Sequence, residues 1–266
     1  MSEMTLSEVL DAPDATGVSP RFAVPDNWKQ GRTAYGGFTA ALLLAAARRV
    51  QADLPPLRSA LINFTAPVTT SPDISVDIFR QGRNVTTVNT QARIDGKVVA
   101  QGTFSFGLAQ NSHVTVERSA PAAPLPEQTD PYFPPGMSRP PARFFGNFEV
   151  RLIDGHLPFM GADRGYVRVW ARYRDPAMWT RPEGLIGIAD VLPPAVFPVC
   201  RQPGPNSSMT WICNLLSGAP RTRDGWWMLE TDLTSARDGF SSQVMRGWNT
   251  DGELVVDGMQ SVVIFV

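Results

Sequence analysis

The most apolar stretch of the chain is the run Phe38–Ala47, in which Thr39 is the one polar residue. Alanine and leucine dominate this run, and both residues favour helix. A helix that is apolar on every side is buried rather than amphipathic. The run is also shorter than the roughly 20 apolar residues that a membrane span needs. The pattern therefore predicts a core helix over Tyr35–Val50, introduced by Gly36 and Gly37.

Alternating apolar and polar positions, rich in β-branched residues, follow this helix and resume later in the chain. Such alternation is typical of half-buried antiparallel strands. The Asp95-Gly96 pair indicates a tight hairpin between two of them. The predicted strands are Ser59–Val68, Ile74–Arg80, Val85–Ile94, Val98–Leu108, Phe144–Leu152, Tyr166–Tyr173, Ser208–Leu216, Trp226–Ser235, Gly239–Asn249 and Leu254–Val266.

The two halves of the chain resemble each other. Ile94–Ser105 (IDGKVVAQGTFS) lies over Thr250–Ser261 (TDGELVVDGMQS), and the DLPP of Asp53–Pro56 echoes the DVLPP of Asp190–Pro194. An internal duplication of about 110–120 residues is the simplest explanation. Between the halves, residues 109–143 are rich in proline and show little periodicity, which predicts a linker. We therefore expect an N-terminal unit over 1–108 and a C-terminal unit over 144–266.

Composition narrows the class of protein without identifying it. The chain has 266 residues, 43% hydrophobic and 18% charged, which suits a globular protein with a substantial core. A formal net charge of −1 predicts no general affinity for nucleic acid or for an anionic membrane. The acidic start of the chain lacks the pattern of a signal peptide, so we expect a cytoplasmic protein.

The sequence lacks the nucleophile-elbow, Walker A and dinucleotide-binding motifs. Its two histidines, His113 and His156, are not accompanied by spaced acidic residues or cysteines, so neither a metal site nor a histidine-based triad is expected. Hydrolytic chemistry would have to use carboxylates, amides, hydroxyls and backbone groups. Gly36 and Gly37 expose backbone N–H groups at the positive end of the predicted helix, where they could stabilise a developing oxyanion.

Three segments together resemble the type II acyl-CoA thioesterase family. They are Trp28–Gly37 (WKQGRTAYGG) followed by the Ala/Leu helix, the INFTAPV strand, and the segment RQGRNVTTVNTQARIDGKVVAQGTFSF. The resemblance implies an α+β double hotdog, in which two tandem antiparallel sheets each wrap around a central helix. It also implies a thioesterase that takes acyl-CoA as its substrate and needs no cofactor.

The resemblance further implies three residues that position and activate a water, all in the second half. The acid corresponds to Asp190, and burial within the run LIGIADVL would raise its pKa and improve it as a base. A carboxylate that only caps backbone amides is the alternative. The amide corresponds to Gln260, whose counterpart in the first half is Phe104; the alternative is a glutamine facing outward from its strand.

The family's hydroxyl falls on Pro205 in this chain, so the hydroxyl must come from elsewhere. Ser207, Ser208 and Thr210 are nearby, and all three stay open, as does the absence of a hydroxyl. Simple alternation along a strand counted from Trp211 places Ser207 and Pro205 on the same face, which favours Ser207.

The resulting hypothesis is a thioesterase with Asp190, Gln260 and Ser207 as catalytic residues and Gly36 and Gly37 at the substrate carbonyl. Two other classes remain open. A non-catalytic protein that binds acyl-CoA or another ligand would explain the lost hydroxyl position. A hydratase would need a well-placed histidine. The acyl chain length stays open, and a homodimer or larger homo-oligomer is a further expectation because edge strands can pair between copies.

Overall fold

The apolar run lies at the centre of the fold. The structure, a computed structural model, describes residues 3–14, 19–51, 53–133 and 141–266. Its α-helices within these ranges are α1 (Leu6–Asp11), α2 (Gly36–Arg49) and α3 (Pro182–Ala189). α2 confirms the predicted helix, and its residues from Gly37 to Ala47 are all buried.

Twelve strands lie within the same ranges. They are β1 (Lys29–Gln30), β2 (Thr33–Ala34), β3 (Leu57–Phe64), β4 (Asp73–Gln81), β5 (Val85–Ile94), β6 (Lys97–Gly107), β7 (Phe148–Gly155), β8 (Tyr166–Tyr173), β9 (Asn206–Leu215), β10 (Trp227–Arg237), β11 (Phe240–Trp248) and β12 (Leu254–Ile264). β1 and β2 form a short ladder of their own. The other ten form one sheet in the order β4-β5-β6-β3-β9-β12-β11-β10-β8-β7.

The strand order shows the duplication directly. Outward from its centre the sheet reads β3-β6-β5-β4 on one side and β9-β12-β11-β10 on the other, with β8 and β7 added beyond β10. α2 packs against β4, β5 and β6, and α3 packs against β8 and β11. The predicted α+β double hotdog is confirmed. The two expected sheets are continuous, because β3 and β9 pair antiparallel over Ser59–Asn63 and Thr210–Asn214.

The register of the strands identifies equivalent positions in the two halves. Ala60 and Val88 are the cross-strand partners of Phe104 in the first half. Trp211 and Gln243 are the partners of Gln260 in the second half. The apolar pair Val88–Phe104 is therefore replaced by a pair of glutamines in the second half.

α2 and α3 run antiparallel and lie unusually close together. At one end the Tyr35 hydroxyl donates to the Gly187 carbonyl over 2.7 Å. At the other end Arg48 Nη1 lies 2.7 Å from Glu183 Oε1. A Cβ at Gly37 would overlap the Gly187 carbonyl oxygen, so this approach of the two backbones needs glycine.

The predicted linker is in part an ordered strap, which we define as residues 118–133. Trp170, Met228 and Trp248 form a row across β8, β10 and β11, in a cluster separate from the main core. The indoles of Trp170 and Trp248 donate to the carbonyls of Pro124 and Arg118, over 2.9 and 3.1 Å. The strap thus buries apolar side chains on the sheet face turned away from the helices. Residues 134–140 of the predicted linker lie outside the described residues, and the unit boundaries at 108 and 144 stay a prediction.

Candidate active site

Asp190 is a buried carboxylate at the end of α3. It is the C-cap residue of that helix, and the neighbouring Ala189 and Val191 are buried in the core. Only 9% of Asp190 is exposed. Carboxylates are seldom this buried unless they are paired or hydrogen-bonded, so the partners of Asp190 decide what it can do.

A chain of side-chain amides leads to this carboxylate. The backbone N–H of Ala195 donates to Gln243 Oε1 over 2.6 Å, and Gln243 Nε2 donates to Gln260 Oε1 over 2.9 Å. Gln260 Nε2 then donates to Asp190 Oδ1 over 2.8 Å. Because a backbone N–H can only donate, it fixes the orientation of both amides in turn. The end of the chain is an N–H donor aimed at Asp190.

The first half of the molecule supplies the other side of the site. The backbone N–H of Gly37, in the first turn of α2, donates a hydrogen bond to the Asp190 carboxylate. A Cβ at Gly36 would lie 2.6 Å from Asp190 Oδ2, so a side chain there would displace the carboxylate. The positive end of α2 also favours a negative charge at this point. The carboxylate of one half therefore depends on the backbone of the other.

Burial raises the pKa of Asp190 to about 7, and the hydrogen bonds from Gln260 and Gly37 offset only part of that effect. A carboxyl group with this pKa is partly protonated and partly ionised at neutral pH. Such a group can accept a proton and return it within one reaction cycle, which is what general acid–base catalysis requires. The nearby Tyr35 has a pKa well above its usual range, mainly through burial, so its hydroxyl stays a neutral donor to Gly187.

The structure brings Asp190, Gln260, Gly36 and Gly37 together, but it does not bring Ser207 to them. The N–H of Gly37 donates to Asp190, and a role for Gly36 or Gly37 at a substrate carbonyl stays a prediction.

The face assigned to Ser207 was wrong because β9 contains a β-bulge. Ser261 pairs with Thr210 and Val262 with Ser208, so Met209 is the extra residue that breaks the alternation. Ser207 is exposed, and its hydroxyl donates to the Ser208 carbonyl over 3.1 Å. Ser208, opposite the fully buried Val262, takes the inward face instead. A bulge depends on pairing between strands, which alternation along one strand does not reveal.

Gln243 is the site residue that sequence reasoning missed. It is completely buried, and it links Ala195 to Gln260. The register of the strands makes Val88 its counterpart, just as Phe104 is the counterpart of Gln260. The sequence alone did not show this, because laying Ile94–Ser105 over Thr250–Ser261 places Gln243 over Thr87. Two amides replacing two apolar residues at paired positions indicate a polar site in one half only.

Two family models match the chain. "Acyl-CoA thioesterase C-terminal domain" matches residues 118–264 and "Acyl-CoA thioesterase N-terminal domain" matches residues 24–107. The first alone spans more than half of the chain. The chain belongs to the acyl-CoA thioesterase family. The resemblance stated from the sequence is therefore confirmed.

Solved structures place this thioesterase-family chain among double hotdogs. A hot dog fold protein of unknown function from Alicyclobacillus acidocaldarius has a TM-score of 0.87 at 22% identity, covering 100% of this chain and 99% of that one. The tesB protein of Mycobacterium avium subs paratuberculosis gives a TM-score of 0.77 at 20% identity, covering 98% of both chains. The acyl-CoA thioesterase II TesB2 from Mycobacterium marinum gives 0.76 at 22%, covering 98% of both. These likenesses show the fold. No curated protein matches the sequence.

Proposed function

We propose that this protein hydrolyses acyl-CoA thioesters with Asp190 as the general base. The observation that carries the proposal is a buried carboxylate whose pKa is about 7, held between the Gln260 amide and the N-terminus of α2. The family match supports thioesterase chemistry in general, and the residue roles are our proposal. Neither histidine takes part in the Asp190 network, and both are exposed, which speaks against a hydratase that uses histidine.

In the proposed reaction, ionised Asp190 accepts a proton from a water as the water oxygen attacks the thioester carbonyl carbon. The carbonyl π bond breaks and leaves a tetrahedral oxyanion. When the C–S bond breaks, the oxyanion reforms a carbonyl and Asp190 returns its proton to the leaving sulfur. The products are a carboxylic acid and coenzyme A. Gln260 holds the carboxylate in place throughout, through its 2.8 Å hydrogen bond.

The oxyanion needs a donor that is not already committed, and Trp211 offers one. Within the described ranges its buried Nε1 has no hydrogen-bond partner, although only 1% of the residue is exposed. Trp211 lies directly opposite Gln260 in the β9–β12 ladder, and such pairs have Cβ atoms about 5 Å apart. A buried N–H without an acceptor is costly. We propose that the substrate carbonyl oxygen accepts from it.

Trp211→Phe is expected to lower kcat about a hundredfold with little change in KM, because one oxyanion donor is lost while an aromatic ring remains. Steady-state kinetics on the preferred acyl-CoA measures both parameters. Trp248→Phe is the matched control: it removes an indole N–H that binds the strap, in a cluster separate from the main core. Equal kcat values for the two variants would refute the role of Trp211.

The pH profile follows from the raised pKa of Asp190. Only the ionised carboxylate can accept a proton, so kcat/KM should increase with pH through about 7 and level off above it. Chromatographic detection of free coenzyme A between pH 5 and 9 measures this without a pH-sensitive reagent. A profile that is already level at pH 5 would contradict a base with this pKa.

Release of coenzyme A from a panel of acyl-CoAs, from short to long chains, tests the function itself. We expect turnover with a preference for a particular chain length. The exposed position of Ser207 favours a second candidate, a ligand-binding protein without turnover. Saturable acyl-CoA binding with no release from any panel member would establish that candidate and reject the first.

No helix in the described ranges is long and apolar enough to span a membrane. Cytoplasmic location and a homo-oligomeric state stay predictions. So does the absence of nucleic-acid partners. In the described part of the chain no three metal-ligating side chains come together.

A further inference from the structure

A polar pocket lies at the end of the α2–α3 pair opposite to Asp190. It encloses about 170 Å³, and the C-terminal end of α2 and the start of α3 form much of its wall. Its charged lining residues are Arg48, Arg49, Arg181 and Glu183.

The duplication explains why this position is special. Asp53 follows α2 as Asp190 follows α3, so this end of the helix pair is the counterpart of the candidate active site. Asp53 is exposed, however, and Val88 and Phe104 replace the two glutamines. The thioesterase machinery is therefore absent from this end, and its charged residues call for another explanation.

Glu183 is the unusual residue of the pocket. It is 2% exposed, and its Oε1 accepts from Arg48 Nη1 over 2.7 Å. In the described part of the chain its Oε2 has no hydrogen-bond donor, and Arg181 Nε lies 3.8 Å away. A buried carboxylate oxygen without a donor is costly, so this atom is suited to a donor that a ligand supplies.

The arginines around Glu183 have donors left over. Arg49 Nη2 donates to the Leu10 carbonyl over 2.8 Å, and Arg181 Nη1 donates to Asp11 over 2.9 Å. Each guanidinium carries five N–H groups in a planar fork that matches phosphate and carboxylate oxygens. With three arginines against Glu183, the charged lining of the pocket is net positive. A ligand that fits must offer several anionic oxygens and one donor.

We propose that this pocket binds inorganic phosphate, whose oxygens accept from Arg48, Arg49 and Arg181 while its P–OH donates to Glu183 Oε2. At neutral pH inorganic phosphate always keeps at least one proton. Sulfate has a similar shape and carries none, so it would bring an oxygen lone pair against a buried carboxylate. The pocket should therefore prefer phosphate, although sulfate has the larger negative charge.

Isothermal titration of the wild-type protein with phosphate and with sulfate tests this at pH 7 and constant ionic strength. We expect phosphate to bind roughly tenfold or more tightly than sulfate, which corresponds to about one hydrogen bond. Attraction by the arginines alone predicts no preference for phosphate. Sulfate binding as tight as phosphate, or no binding of either, would overturn the proposal.

Three variants locate the effect. Glu183→Gln adds an amide donor, so the preference for phosphate should disappear as sulfate binding improves. Arg49→Gln leaves Glu183 intact and should weaken phosphate binding, and it carries the test if Glu183→Gln does not fold. Arg83→Gln changes an exposed arginine outside the pocket and should bind both ions as wild type does. A preference that survives in Glu183→Gln, or is lost in Arg83→Gln, would refute this site.

Discussion

Asp190→Asn is expected to lower kcat for acyl-CoA hydrolysis about a thousandfold, within the range that a positioned general base contributes. The asparagine oxygen can still accept from Gln260 Nε2, so the site should keep its geometry while losing its proton acceptor. Initial rates of coenzyme A release over a range of substrate concentrations give both kcat and KM. The loss should be in kcat, with KM little changed.

Asp53→Asn is the matched control, because it removes the carboxylate at the equivalent position of the first half. Asp53 is exposed and should be dispensable for turnover. If Asp190→Asn retained more than about a tenth of the wild-type kcat, the activation free energy would rise by less than about 1.4 kcal/mol. That is too small for the loss of a general base.

Asp190→Asn should also change how the free energy of unfolding depends on pH. The folded-state pKa of Asp190 is raised to about 7. Its favourable contribution is therefore complete below the unfolded-state pKa near 4, and it is lost as pH rises through about 7. In that window the wild type should lose up to about 1.4 kcal/mol per pH unit from this group, and Asp190→Asn should not. Urea unfolding at pH 5, 6, 7 and 8 gives the free energy of unfolding of each protein as a function of pH. An equal dependence on pH in the two proteins would mean that Asp190 is in contact with water.

Gly37→Ala should have the largest effect on stability, about 3 kcal/mol or more, because overpacking against backbone cannot relax by a rotamer change. The new Cβ would overlap the Gly187 carbonyl oxygen and crowd the Tyr35 hydroxyl. The two helices would have to separate, and the hydrogen bond from Gly37 to Asp190 would be lost. Thermal and urea unfolding measure the change.

Gly146→Ala is the control for that experiment, since nothing lies within 4 Å of its Cβ position. It should be close to neutral. A Gly37→Ala protein as stable as Gly146→Ala would mean that α2 and α3 do not pack as closely as described.

Much of the fold could be predicted because burial determines which positions along the sequence are apolar. Phe38–Ala47 has no polar face and is the core helix, and the predicted hairpin at Asp95-Gly96 joins β5 and β6. The meeting of Asp190 with Gln260 could be predicted only through the family resemblance, because 70 residues separate them and no local pattern connects them.

The features that escaped prediction depend on contacts between distant elements. The bulge at Met209 is a matter of pairing with β12, and it reverses the faces of Ser207 and Ser208. The strap shows no period of its own, because it is held by contacts with tryptophans more than 40 residues away. Gln243 is equivalent to Val88 only through the strand register, because the sequence offset between the halves places it over Thr87.

The strap has a consequence for assembly. On an exposed sheet, the row formed by Trp170, Met228 and Trp248 would be an attractive surface for a second copy of the chain. Here the strap already covers it, so face-to-face stacking over this half would bury little additional apolar area. The strap also hydrogen-bonds to the outer edge of β7, through Leu152 N–H to the Asp130 carbonyl and Tyr132 N–H to the Val150 carbonyl. Any association of copies is therefore directed toward the outer strand β4 of the first half.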